Sequence, residues 1–310
     1  ERIVSNDDLA KTLDTSDEWI FSHTGIRNRH IAAPEQTPVD LAYEAARKAL
    51  QDAQISAEDL GMILLSTSTG DYFYLPSTAC LLQEKLSAVN AAAIDTLAAC
   101  TGFVYNLELA RCWALANKKP VLLVASEMLS RVTDWNSRET CILFGDGAAA
   151  TVLVLSKENG FLYSTLGADG SKAQLLTIEG GCRLPREEMP ESAGLIQMQG
   201  RAVFSVAVRA IEQVILKILA ENNLSLDQVA HIVPHQANLR ILETVAKRLN
   251  VSIDKFRVNI DQTANTSSAS IPILLDELKQ QGKLNKCDYI LTVAFGGGLT
   301  FGGNLLRWFP

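Results

Sequence analysis

The feature that most restricts the fold is an alternation of helix-patterned and uninterrupted apolar segments that occurs twice along the chain. Residues 40–53 carry the spacing of an amphipathic helix, followed by Ile55-Ser56-Ala57-Glu58-Asp59-Leu60 and the apolar run Met62-Ile63-Leu64-Leu65-Ser66-Thr67. Residues 204–220 repeat the helical pattern, followed by Leu224-Ser225-Leu226-Asp227-Gln228-Val229 and His231-Ile232-Val233-Pro234. The two apolar runs, at Met62 and His231, start 169 positions apart. A second pair, Phe144-Gly145-Asp146-Gly147 and Phe295-Gly296-Gly297-Gly298, lies 151 positions apart and reads as a glycine turn between apolar strands in each copy. Similar but unequal separations describe one doubling with different insertions; a solenoid would repeat every 20 to 50 residues or so.

Strand-like runs at 62–66, 91–94, 121–125 and 290–294 alternate with helices, which predicts an α/β fold with helices covering the sheets. The 310 residues, 47% of them hydrophobic, exceed one average domain, and the halves are expected to divide as 1–160 and 161–310. Residues 126–140 and 167–193, rich in charge, glycine and proline, are expected to be long loops lining substrate. A net charge of −7 argues against a nucleic-acid partner. No apolar stretch is long enough for a membrane span, and the first residues lack the layout of a secretory signal. Six scattered cysteines without a C-x-x-C pair predict neither disulfides nor a zinc or other metal site, and fit a reducing cytoplasm.

One of those cysteines has a special context. Cys100, in Ala98-Ala99-Cys100-Thr101-Gly102-Phe103, falls between a strand-like run at 91–97 and a helical pattern at 103–116. A sulfur at a helix start is expected to favour the thiolate, because unpaired N–H groups and the peptide dipoles stabilise negative charge there. Two later polar clusters follow apolar runs: Pro234-His235-Gln236-Ala237-Asn238-Leu239-Arg240 and Ala264-Asn265-Thr266-Ser267-Ser268-Ala269-Ser270. Cysteine, histidine and asparagine together suggest acyl transfer, although papain-like hydrolases use the same trio. The small and apolar neighbours of Cys100 favour a dry pocket over one that admits water. His235, with no carboxylate in its own motif, reads as a neutral hydrogen-bond donor or as a general base. Taken singly, these residues also read as a buried thiol, a strand cap and a turn asparagine.

Seven segments together resemble β-ketoacyl-acyl-carrier-protein synthase III, a condensing enzyme of the thiolase-like superfamily. They are Asp14-Thr15-Ser16-Asp17-Glu18-Trp19-Ile20, Thr24-Gly25-Ile26-Arg27, the Cys100 segment, Phe144-Gly145-Asp146-Gly147, the stretch from His235 to Arg240, the stretch from Asn265 to Ser270, and Phe295-Gly296-Gly297-Gly298. Elongating synthases carry a second catalytic histidine where Asn265 stands. The resemblance implies a duplicated thiolase-like fold in five α-β-α-β-α layers, a homodimer, and a two-stage reaction without a resident cofactor. An acyl primer passes from acyl-coenzyme A to Cys100, and malonyl-acyl-carrier-protein then loses carbon dioxide and attacks the thioester. His235 Nε2–H and Asn265 Nδ2–H are expected to steady the enolate, the N–H groups of Cys100 and Gly297 to form the oxyanion hole, and Phe295 to face the leaving carboxylate.

The resemblance also implies binding surfaces. Trp19, Arg138 and Asn238 are expected to hold coenzyme A, with two departures from the family pattern: His23 replaces an arginine and Glu139 a glycine. Arg240, Lys247 and Arg248 are expected to dock the acidic carrier protein. Leu75, Ile196 and Met198 are expected to line the primer pocket; Leu75, smaller than the usual phenylalanine, suits primers longer or more branched than acetyl. Family members usually begin with a sheet strand ahead of Val4-Ser5-Asn6-Asp7-Asp8-Leu9, and the sequence carries none there. A starter enzyme of polyketide or quinolone-type secondary metabolism is the alternative within the same fold.

Overall fold

The computed structural model describes residues 2–309. The chain opens with a short ribbon, β1 (Arg2–Ser5) antiparallel to β2 (Asn28–Ile31), enclosing the helices α1 (Asn6–Ala10) and α2 (Asp17–Thr24). Helix α3 (Pro38–Ala53) starts where the sequence writes a start: proline in the first turn, and Asp40 Oδ2 accepting from Thr37 N–H at 2.9 Å. Its Ala42, Ala46 and Leu50, four apart, form the buried stripe. Then come β3 (Met62–Ser66), α4 (Thr78–Lys85), β4 (Ala92–Thr96), α5 (Gly102–Asn117), β5 (Val121–Met128) and β6 (Asp146–Leu153). The first sheet runs β4-β3-β5-β6, parallel except for β6.

The second half opens with β7 (Phe161–Ala168), a small hairpin of β8 (Leu176–Ile178) and β9 (Ile196–Met198), and the long α6 (Gly200–Glu221). It continues through β10 (Val229–Pro234), α7 (Leu239–Arg248), α8 (Ile260–Thr263), α9 (Ser270–Gln280), β11 (Tyr289–Gly296) and β12 (Thr300–Arg307). Its sheet runs β10-β11-β12-β7, with β10 and β11 parallel and the rest antiparallel. The trio β3-β5-β6 thus has its counterpart in β10-β11-β12. Beyond β12 lies β7, whereas β6 pairs with β5 alone among the described residues.

Side chains alternate across the first sheet and so build two different interfaces. Leu65, Leu122 and Val124 point outward to Ala42, Ala46 and Leu50 of α3 and Leu82 of α4. Leu64, Val121 and Leu123 point inward to Phe103 and Leu107 of α5 and Ile271 and Leu274 of α9, and Val233, Ile290 and Ala294 of the second sheet press on the same helices from the other side. Helices α6 and α7 cover the far face of the second sheet through Ile211, Ile215, Leu242 and Val245. These are the five expected layers, α-β-α-β-α, with α5 and α9 in the middle.

Three expectations about local structure change. Residues 126–128 are the buried end of β5 rather than loop, because that strand is covered on both faces. Residues 167–193 contain the end of β7 and all of β8. The two glycine segments are not equivalent: Phe144 and Gly145 precede β6, whereas Phe295 and Gly296 end β11, and only three residues join β11 to β12.

Candidate active site

The middle layer and the ends of the inner strands bring the three predicted catalytic segments together. Cys100 sits in the single 3-10 turn Ala99–Thr101, which follows β4 and runs straight into α5. Thr300 Oγ1 lies 3.1 Å from both Ala98 O and Gly297 O, tying this turn to the glycine turn after β11. Gly296 makes the approach feasible: a Cβ there would stand 2.8 Å from the Cys100 amide nitrogen. Gly297 is next in line, with Ala99 Cβ 3.7 Å from where its own Cβ would be.

His235 continues the line of β10, its N–H donating to Val293 O at 2.8 Å, and is 1% exposed. Its ring meets Phe295 edge-on with centroids 5.7 Å apart, and Nδ1 lies 2.8 Å from Ser270 Oγ. Burial pulls the imidazole pKa down to about 3, so the ring is neutral at pH 7. Asn265 is fixed from both halves of the chain: its N–H donates to Leu143 O at 2.9 Å and its C=O accepts from Gly145 N–H at 3.0 Å. The Phe144-Gly145 motif is therefore a backbone clamp on Asn265. Ser267 N–H donates to Asn265 Oδ1 at 2.9 Å. Ala99, Ala264 and Ser267, flanking Cys100 and Asn265, all hold positive φ (45°, 55° and 49°), the kind of backbone strain that clusters where side chains must be aimed.

The expected thiolate is not the resting state. Cys100 is half-buried, and desolvation pushes its thiol up to about 12; Ser267 opposes this by hydrogen bonding, and the Glu127 carboxylate nearby reinforces it. Sequence reasoning missed Glu127. It is fully buried at the end of β5, accepting from Ser68 N–H (2.9 Å), Thr69 Oγ1 (3.2 Å) and Ser268 Oγ (2.7 Å), and burial raises its pKa. A lone acid closing the apolar run Val121-Leu122-Leu123-Val124-Ala125 was the available signal. Ser268 and Ser270 lay within a recognised motif, but nothing in the sequence assigned them partners.

Of the predicted binding residues, Trp19, Arg138 and Asn238 come together around His23. The Arg138 guanidinium lies over the Trp19 ring at 4.6 Å, and His23 stacks on the same ring at 4.3 Å. Asn238 caps α7 by accepting from Arg240 N–H at 2.8 Å and donates to His23 O at 3.1 Å, so it braces this cluster. Arg240 Nε donates to Ser22 O at 2.7 Å; Arg248 pairs with Glu212 at 2.9 Å, while Lys247 sits in the last turn of α7 without an ion pair among the described residues. Ile196 is buried in β9 against Ile20, Ile142 and Leu143, and Met198 packs along the same hairpin. Leu75 is 81% exposed, and Tyr72, Phe73 and Tyr74 beside it are exposed too. Its loop projects outward, which periodicity could not reveal. Among the described residues no group of three or more His, Cys, Asp and Glu is placed to hold a metal ion, and no helix is long and apolar enough to cross a membrane.

Known proteins share both the sequence and the shape. Residues 94–170 match the family described as 3-oxoacyl-[acyl-carrier-protein] synthase III, and residues 219–308 its C-terminal region. A β-ketoacyl-[acyl-carrier-protein] synthase III of Xanthomonas euvesicatoria is 46% identical over 99% of this chain and 95% of its own; one of Clostridium beijerinckii is 44% identical with the same coverage. The solved 3-oxoacyl-[acyl-carrier-protein] synthase III of Aquifex aeolicus is similar at a TM-score of 0.92 and 42% identity, covering 99% of this chain and 96% of that one. A priming β-ketosynthase from a polyketide biosynthetic pathway is similar at 0.92 and 32%, covering 99% and 92%. The chain belongs to the β-ketoacyl-[acyl-carrier-protein] synthase III family, the initiating condensing acyltransferases of fatty-acid synthesis.

Proposed function

We propose that this chain takes an acyl primer from acyl-coenzyme A onto Cys100 and condenses it with malonyl-acyl-carrier-protein. The observation that carries the reading is the shared scaffold of the three side chains: Ser267 bonds Asn265, Ser270 bonds His235, and the glycine turn after β11 closes on the amide of Cys100. In the first stage the Cys100 sulfur attacks the thioester carbon. The thiol must lose its proton as it reacts, and neutral His235 is the acceptor that passes it to the departing coenzyme A sulfur. The N–H groups of Cys100 and Gly297 meet the tetrahedral oxyanion; loss of one such donor typically costs about 2.7 to 4 kcal/mol.

In the second stage the malonyl carboxylate leaves as carbon dioxide beside Phe295, and Asn265 Nδ2–H meets the enolate oxygen. The enolate carbon attacks the acyl-cysteine, the carbon–sulfur bond breaks, and the released Cys100 thiolate takes its proton from water. No resident cofactor or metal enters; coenzyme A is a substrate. Arg138 and Trp19 receive its nucleotide end, and Arg240, Lys247 and Arg248 present positive charge to the acidic carrier protein.

The reading includes a cytoplasmic homodimer of two-half subunits dividing near residue 160. Exposed apolar side chains support self-association: Phe73 (92%), Leu75 (81%), and Leu97 (80%) just beyond the edge strand β4. Leu75 joins a primer pocket only if such a face sets it against another copy. The test is a reconstitution with acyl-coenzyme A and malonyl-acyl-carrier-protein: β-ketoacyl-carrier-protein and carbon dioxide should appear in equal amounts. Free fatty acid released without need of the carrier protein would instead mark a hydrolase.

A further inference from the structure

We propose that Ser270 is a positioning residue that decides which nitrogen of His235 carries the proton, holding the ring as the Nδ1–H tautomer with the Nε2 lone pair free for the Cys100 proton. The hydroxyl of Ser270 has one hydrogen and two lone pairs, and three partners surround it. Ser267 O lies 2.9 Å away, Gln236 N 3.3 Å and His235 Nδ1 2.8 Å. A carbonyl can only accept and an amide N–H can only donate. If the hydroxyl hydrogen goes to Ser267 O, both lone pairs are filled, one by Gln236 N–H and one by His235 Nδ1–H, and all three contacts are hydrogen bonds. If the hydrogen is turned to Nδ1 instead, only two survive, and the buried Ser267 carbonyl loses this donor.

The hydrogen bond of the His235 ring to a side chain is made at Nδ1, to Ser270 Oγ. The ring is fully buried and neutral, so the tautomer is set by these neighbours and not by solvent.

The consequence rests on the reaction proposed above. With its lone pair at Nε2, His235 serves the acylation stage as a proton acceptor, and Asn265 is the neutral donor that meets the enolate. The assignment reverses the donor role that the sequence suggested for Nε2–H.

The test is nitrogen-15 spectroscopy of the full chain labelled at histidine. His235 is picked out from the four histidines by comparison with His235→Gln. The proposal expects a protonated, pyrrole-type Nδ1 and an unprotonated, pyridine-type Nε2 in the wild type; a protonated Nε2 overturns it. Ser270→Ala should mix the tautomers and slow acylation of Cys100 about tenfold or more, and Ser270→Thr, which keeps the hydroxyl, should restore both. A Ser270→Ala protein with an unchanged tautomer and unchanged acylation also overturns the proposal. Should that variant fail to fold, the wild-type spectrum decides alone. The spectrum needs no substrate, so it stands or falls separately from the reaction.

Discussion

Ser267 N–H donates to Asn265 Oδ1 at 2.9 Å, and this one bond settles which end of the amide faces the reacting groups. With its oxygen held by backbone, Asn265 can offer only N–H to a substrate. Asn265→Ala should therefore leave acylation of Cys100 within about threefold of wild type and slow condensation about a hundredfold or more. Single-turnover measurement of the two stages checks this. Equal losses in both would assign Asn265 to structure instead.

Gly296 is predicted to be intolerant of a methyl group. A Cβ at that position would stand 2.8 Å from Cys100 N and 3.2 Å from Thr101 N, both backbone atoms that cannot turn aside. Gly296→Ala should cost about 1 to 3 kcal/mol of stability and shift the amide that serves the oxyanion. Acylation should fall by more than the loss of folded protein explains, read by pairing denaturant titration with rates on the folded fraction.

At the entrance, Arg138 lies over Trp19 and His23 stacks on the same ring. Arg138→Ala should weaken coenzyme A thioester binding about tenfold, mainly as a rise in KM, and the loss should shrink as salt is added. Restoring family charge with His23→Arg should move KM the other way. Titration calorimetry with coenzyme A at two ionic strengths checks both directions.

His235 is also expected to shape acid stability. Its folded pKa, about 3, lies below the ordinary value of 6.5, so the unfolded chain binds the proton more readily. The stabilising contribution is complete above pH 6.5 and is lost progressively as the pH falls toward 3. Between pH 7.5 and 5, wild type should lose about 2 kcal/mol more than His235→Gln, as measured by urea unfolding. Equal losses would show that the ring titrates normally in the folded state.

Much of the architecture was legible because its causes are local. The stripe Ala42, Ala46, Leu50 marks a helix against a sheet, the unbroken apolar run of β5 marks a strand covered on both faces, and the repeated unit marks the doubling. Cys100, His235 and Asn265 were legible as motifs. The protonation of the site was not. Whether Cys100 rests as thiol or thiolate depends on its burial and on Glu127, a residue on β5 hydrogen-bonded to Ser268 from the other half of the chain. The tautomer of His235 depends on Ser270, 35 positions away. The resemblance names Leu75 by its position, while its exposure in this chain depends on how the loop after β3 leaves the surface.

The most direct test of the account is the mass of the intact protein after exposure to a panel of acyl-coenzyme A donors, with and without malonyl-acyl-carrier-protein. The account predicts the gain of one acyl group, absent in Cys100→Ser, that disappears when the malonyl substrate is added and reappears as β-ketoacyl-carrier-protein. A wild-type protein that stays unacylated, or an acyl group that survives the malonyl substrate and leaves only to water, would contradict it.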